Sequence, residues 1–600
     1  MSFAEPSLAG NETNRPPATQ TTPDAAASQR EAGRQLKIQL NEALSQKAPR
    51  LVVKPGIYRL SPDSPDLAHL VFKNISNFEL IADGVTLICE TKNSAIVMER
   101  CTNVKISGAT IDYDPLPMTQ GAITAVSPDS LDFKINAGYD ALDYDGIGVG
   151  HIWIVDAATW QVKPGSMNYG HPKQIIKTGE DTYRLMTRGE RHDSVAVGDL
   201  IKFPQKLNLK SPHAIRVYGC KSTTFENVTI ESAPCFGFVS SWGDGIVLDN
   251  VRVTPGPPPP GATEPRIFSS SADGINLEND RRGPVIRNCI VASNGDDGIA
   301  IYNSPDTVLA QDNASVVIDL NWPDPKIKSY SPGDTLRFFL YQAHRTEERK
   351  IVSVEPGPPE SESGQSGATL KAHGSPHGRT VKVVLDSPLP VSPGDRVLDT
   401  QYAGHDFEIS NNVLVNNASR GINVNQSCGS VFHNYIRHSF LPGIHMTEFM
   451  GTDAGGSGFQ TSVRIRDNII TDACIGYPRR KDWQGAISIV AWDAAAHFLD
   501  GHSDIAITGN VIDKPNGIGI QVSCASKVTI EDNVFGSLDK VGNAGEGIDA
   551  PALLLDEVYG ANIHRNILAG AGWSAAETEL KVMPSCKGIS SELPVVPIPH

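Results

Sequence analysis

IAITGNVIDKPNGIGIQVSCASKVTIEDNVF, residues 505–535, holds two copies of one short unit: an apolar alternation, an Asn, and a second apolar alternation, with Asn510 and Asn533 set 23 residues apart. Between the copies a turn closes on Gly517 and opens a strand at Ile518. Outward from this stretch the unit returns as TTFENVTI (223–230), IVLDNVRV (246–253), PVIRNCIV (284–291), FEISNNVLV (407–415), SVFHNYIR (430–437), VRIRDNII (463–470) and ANIHRNIL (561–568). Where nothing intervenes the period holds, 23 residues from Asn227 to Asn250 and 22 from Asn412 to Asn434. A strand pair this short cannot bury its apolar side chains alone, whereas stacked copies share one core. The repeat therefore predicts an all-β parallel solenoid with coils about 4.8 Å apart. The recurrent Asn suits a turn where its amide bonds its counterparts one coil above and below.

Composition agrees. The chain has 600 residues, too many for one ordinary compact core, and its 54 Gly and 42 Pro favour turns over long helices. A net charge of −16 argues against nucleic acid as a partner and suits a neutral ligand better than a polyanion. Nine scattered cysteines without a CxxC pair suggest neither a disulfide framework nor a zinc site; they read as small interior side chains. No cofactor and no essential metal are expected. The first residues lack a basic and then apolar leader, and no stretch has the length of a membrane span. Localisation is thus left between cytoplasmic and secreted or periplasmic with the signal removed, and no membrane partner is expected.

Along the chain, residues 1–25 read as a disordered lead. Residues 26–117 read as a capping helix and the first coils, with Leu36, Ile38, Leu40 and Leu44 near one helix face over the open sheet edge. Two long stretches, 118–205 and 304–398, alternate like strands but lack the Asn unit, and they read as inserted small β-barrel-like modules, the second with a disordered middle at 355–369. Coils are expected over 206–303 and 399–570, and residues 571–600 are expected to form a surface tail.

Three turns end in Asp-Gly-Ile. Aligning the Gly-Ile pairs places Asp244, Asp273 and Asp297 in one column, with Asp296 beside Asp297. Stacked carboxylates repel one another and raise the pKa of at least one, so a solenoid has no structural reason to collect them. A lone Asp-Gly is an ordinary turn, and Asp244 reads that way at least as well. Asp273 with the doubled Asp296-Asp297 is instead what hydrolysis of an acetal needs, an acid for the leaving oxygen and a carboxylate for water. The repeat brings Trp242, Arg420, His445 and Glu448 to turns near the same column. Trp242 would stack on a sugar, and Arg420 and His445 would bond hydroxyls. Asp112 and Asp114 are assigned to shaping the entry to the first module.

This arrangement resembles the right-handed parallel β-helix glycoside hydrolases of the pectate-lyase-like superfamily, which include the polygalacturonases. KPGIY at 54–58 is similar to that superfamily's first coil. IDYDPLPMTQG at 111–121, the two interrupting modules, and ADG followed by DDG resemble glycoside hydrolase family 110, inverting exo-α-galactosidases that include enzymes acting on terminal α-1,3-galactose. The resemblance implies that Asp273, Asp296 and Asp297 are the active-site aspartates, with Asp296 as the acid and Asp273 and Asp297 holding the water. Neither Gly-His-Gly nor Arg-Ile-Lys is present, which disfavours pectin. Spacing alone leaves the stereochemistry open. Two other readings remain beside hydrolysis of a terminal α-linked sugar: a polysaccharide lyase or epimerase, and a non-catalytic carbohydrate-binding solenoid. The expected partner in each is an oligo- or polysaccharide, and the oligomeric state, homodimer included, is left open.

Overall fold

The computed structural model describes residues 22–143, 151–166, 172–189, 194–206, 212–320, 329–358, 380–448, 458–476, 485–491, 498, 500–537, 551–569, 580–592 and 595–597. The expected lead at 1–25 and the middle of the second insertion at 355–369 lie almost wholly outside these residues.

The molecule is a parallel β-helix with three faces. One coil shows the plan: Ile96–Glu99 lies on the first face, Thr102–Ser107 on the second and Thr110–Tyr113 on the third. The first face continues in register through Ile215–Tyr218, Phe238–Ser241, Ile275–Glu278, Ile299–Tyr302, Ile422–Asn425 and Ile444–Glu448. Side chains alternate across each strand. Ile275 and Leu277 point inward and are fully buried, as are Ile299, Ile301, Ile422 and Val424 above them, while Asn276 and Glu278 face out. Each such apolar side chain contributes about 1.5–3 kcal/mol by leaving water, and the stack forms one core from Leu36 to Leu580.

The helix Pro23–Ser45 starts at the Thr22 cap, whose hydroxyl accepts from the Ala25 amide, and it closes the first coil. Leu36 and Leu40 are buried against the coil, but Ile38 is 48 % exposed, because the helix rests on strand Gly56–Leu60 through a narrower strip. Gly33 sets the distance, since a Cβ there would lie 2.0 Å from the Arg59 carbonyl oxygen.

The Asn repeat resolves into two positions. Asn227, Asn250 and Asn288 stand at the second-to-third corner with φ of 53–57°, a left-handed conformation that Asn tolerates. In later coils Asn411, His433, Asp467 and Asp532 occupy that corner, and the Asn follows one residue on, where it is buried. There the amides form the expected ladder. Asn412 Nδ2 donates to Asn434 Oδ1 at 2.9 Å, and the pattern repeats from Asn434 to Asn468, Asn510, Asn533 and Asn566 at 2.9–3.0 Å.

Both insertions flank the first face. The first enters between a third-face and a first-face strand, Thr110–Tyr113 and Ile215–Tyr218, and its strands make a seven-stranded antiparallel sheet. The second leaves after Ile299–Tyr302 and returns before Phe407–Ser410 on the second face, and its six strands close into a barrel. The described residues beyond 571 do not form the expected surface tail: Leu580–Val582 and Lys587–Ser591 pair in parallel with Leu553–His564 and extend the helix by a further coil.

Candidate active site

The third-to-first corner carries the aspartates. Gly237 N donates to the Asp273 carbonyl at 3.0 Å, Gly274 N to Asp297 at 3.0 Å, Gly298 N to Arg420 at 2.8 Å and Gly421 N to Pro442 at 3.0 Å. Phe236, Asp273, Asp297, Arg420 and Pro442 therefore form one column, each followed by Gly. The glycine is required by close approach: a Cβ on Gly274 would lie 2.3 Å from Val291 Cγ1 and 2.8 Å from the Gly298 carbonyl.

Asp244 is not in this column. Its strand, Asp244–Asp249, lies on the second face beside Lys221–Glu226, so a first-face strand of four residues, about 13 Å, separates the two corners. Phe236 is the true counterpart of Asp273. Both corners place a Gly before an apolar residue, which makes the Gly-Ile alignment ambiguous by one face. Asp244 instead pairs with Arg282 at 2.7 Å. Trp242 is likewise removed from the site, buried in the core of the barrel with its ring edge-on to Tyr402 at 5.7 Å. Glu448 ends strand Ile444–Glu448 beside Ala491, three residues past His445 and away from the column.

The other residues converge. Asp297 is held by four hydrogen bonds: from the Arg420 amide at 3.0 Å, from Arg420 NH1 at 3.2 Å to each carboxylate oxygen, and from Asn423 Nδ2 at 3.0 Å. Asn423 Oδ1 lies 3.4 Å from Nδ1 of the fully buried His445. Burial, then the charges of Arg420 and His502, push the His445 imidazole well below its usual range, so it is a neutral neighbour. Asp273 is 6 % exposed and accepts from Asn276 Nδ2 at 2.6 Å. Burial, then the charges of Asp296 and Asp297, raise its carboxyl well above the ordinary value. Asp296 behaves oppositely. Burial pushes it up, but His151, Arg420 and a hydrogen bond from Ser419 outweigh that and hold it below the ordinary value. Asn294 Nδ2 fixes the turn by donating to the carbonyls of Asp296 and Asp297 at 2.7 and 2.6 Å, and Trp153 Nε1 donates to the Gly295 carbonyl at 2.9 Å.

Four of these partners escape a reading of the sequence. Asn276 and Asn423 left a signal, the shared Gly-Ile-Asn at 274–276 and 421–423. His151 and Lys202 left none, since they come from the first module, whose strands carry no repeat. His151 Nε2 lies 3.2 Å from Asp296 Oδ2. Lys202 is 1 % exposed, and burial lowers its ammonium to about 7 against the opposing charges of Cys235 and Asp296. In front of the column, outward-facing Asn276, Ala300, Asn423, His445 and Ser488 make a floor along the first face, polar but for Ala300.

A family model agrees with the architecture over part of the chain. A family model described as the right-handed β-helix region matches residues 213–317, the coils that carry the three aspartates. Alpha-1,3-galactosidase A of Shewanella woodyi is 22 % identical over 259 residues, 40 % of this chain and 41 % of that protein, so the match spans about two-fifths of the relative. Among solved structures, the Agl-KA catalytic domain is 12 % identical with a TM-score of 0.42, covering 98 % of this chain and 69 % of that one. The family 28 exopolygalacturonase of Yersinia enterocolitica is 11 % identical with a TM-score of 0.39, covering 88 % and 75 %. The chain is a right-handed parallel β-helix.

Proposed function

We propose that this chain is a glycoside hydrolase that removes a terminal α-linked sugar, galactose foremost, from an oligo- or polysaccharide with inversion. The observation that carries the reading is the cluster itself: Asp273 and Asp297 stand on adjacent coils with Asp296 beside them, and their surroundings drive Asp273 and Asp296 in opposite directions. Carboxyls whose environments part their pKa values can take unlike roles. Asp297, fixed by Arg420 and Asn423, is the base that takes a proton from water. Asp273 carries its own proton and holds the same water by a hydrogen bond. Asp296, with 30 % of its side chain exposed, delivers a proton to the leaving oxygen. The polar floor and its two flanking insertions suit a neutral sugar, and the similarity to an α-1,3-galactosidase supports galactose as the first sugar to try.

The test is a screen of nitrophenyl glycosides in both anomeric series with the wild-type chain and Asp297→Asn. Release from one α-glycoside by the wild type is expected, with kcat reduced by about 10³-fold or more in the variant and an unchanged Tm. Binding of the sugar without any release by the wild type would instead favour a non-catalytic carbohydrate-binding solenoid. An unsaturated product would favour a lyase.

A further inference from the structure

In an inverting hydrolysis the acid has to be reprotonated between turnovers. Each turnover takes one proton from the acid and leaves one on the base. The acid assigned above, Asp296, is the carboxylate whose surroundings favour the ionised form. A proton has to be stored next to it.

The first insertion supplies a group in the right place. His151 Nε2 is 3.2 Å from Asp296 Oδ2, with 36 % of the imidazole side chain and 30 % of the carboxylate exposed, so the pair is open to solvent. Behind it, Lys202 Nζ donates to the His151 carbonyl at 3.0 Å and to the Ser271 carbonyl at 3.2 Å, two residues before Asp273, and it lies 5.1 Å from the centre of the Phe268 ring. One buried ammonium thus ties the backbone of His151 to the turn that carries Asp273. The strand of Lys202 pairs with Trp153–Asp156, and Trp153 in turn bonds the Gly295 carbonyl beside Asp296. The module is fastened to the site at both ends of the contact.

We propose that His151 is the proton reservoir of Asp296 and that Lys202 is the residue that positions it, so that the first insertion is a working part of the reaction site. This rests on the hydrolase reading above. In the step, the Nε2–H bond of the imidazolium breaks as Asp296 Oδ2 takes the proton. Asp296 passes the proton to the glycosidic oxygen as the bond from that oxygen to the anomeric carbon breaks. Water adds to the anomeric carbon and gives its proton to Asp297. Afterwards Asp297 releases a proton to solvent and His151 regains one, and the net change is one water consumed. The other charged or titratable groups around Asp296 are Arg420, Asp273, Asp297, Lys202 and Cys235. All belong to the coils except Lys202, which is buried, so His151 is the exposed exchanger.

The test separates this role from simple packing. A dinitrophenyl leaving group departs without a proton, whereas a sugar alcohol needs one. His151→Gln is expected to lower kcat about 100-fold on an α-1,3-linked galactose disaccharide, to leave the dinitrophenyl α-galactoside within about threefold, and to displace the limb of the kcat pH profile set by the acid. Equal losses on both substrates, or no loss on either, would overturn the proposal. Lys202→Met is expected to copy the pattern in weaker form and Lys202→Arg to restore it; if the methionine variant does not fold, the arginine variant decides. A second readout needs no substrate. The ring resonances of His151, followed by NMR in the full chain, are expected to move on Asp296→Asn because the Nε2 contact is altered, and unchanged resonances would refute the pairing even if the sugar screen finds no substrate.

Discussion

At Asp273 the carboxyl is closed off from water and faces two others, so ionising it in the folded chain is harder than in the unfolded one. Its folded pKa is raised. What it contributes to stability is therefore complete below the unfolded value of about 3.9 and is lost as the pH climbs toward the raised one. Asp296 has the reverse sign: its lowered pKa contributes above the unfolded value and is lost on acidification. Asp273→Asn keeps an oxygen for the Asn276 amide and removes the ionisable group. It is expected to raise Tm at pH 7, with the gain disappearing near pH 3.5, while turnover falls. Calorimetry at the two pH values checks this, and a lower Tm at pH 7 would contradict the account of the charge. Asp273, Asp296, Asp297 and Arg420 were all legible from spacing, because a repeat turns distance along the chain into proximity in space. His151 and Lys202 were not, since their proximity depends on how a non-repeating module folds back.

At the scale of single elements, the Asn ladder explains why the repeat is so regular in the later coils. Asn468 receives two hydrogen bonds from Asn434 and gives one to Asn510 and one to the Val431 carbonyl, all of them buried. Asn468→Leu strands these partners and is expected to cost about 3–5 kcal/mol, several net hydrogen bonds plus unsatisfied groups. Asn250 serves only the exposed corner, with one bond to Asn227 and a left-handed φ that glycine adopts freely. Asn250→Gly is expected to cost less than about 1 kcal/mol. Denaturant titration of the two variants compares them, and equal losses would mean that the two Asn positions are one after all. In the sequence they look alike because an Asn is followed at once by an apolar residue in both. Only inter-strand register separates a corner Asn from the buried one that follows it, and the same ambiguity of register drew Asp244 into the aspartate column.

For the molecule as a whole, the three-faced coil turns local spacing into a column of aspartates beside a largely polar strand face. The first insertion returns at the start of a first-face strand and the second departs from the end of one, so they leave the coil at opposite edges of the first face, with the aspartates at its third-face edge. The number and limits of the interruptions could be read from the broken period. That they share a face could not, because it depends on which corner each one leaves. The proposed reaction requires Asp296 to serve the leaving oxygen on one face of the sugar ring and Asp297 to serve the water on the other, the arrangement from which inversion follows. The most direct measurement is the proton NMR spectrum of an α-1,3-linked galactose disaccharide in the first minutes after the wild-type chain is added. β-Galactose appearing first and then mutarotating is the predicted result; α-galactose first, or an unchanged disaccharide, contradicts it.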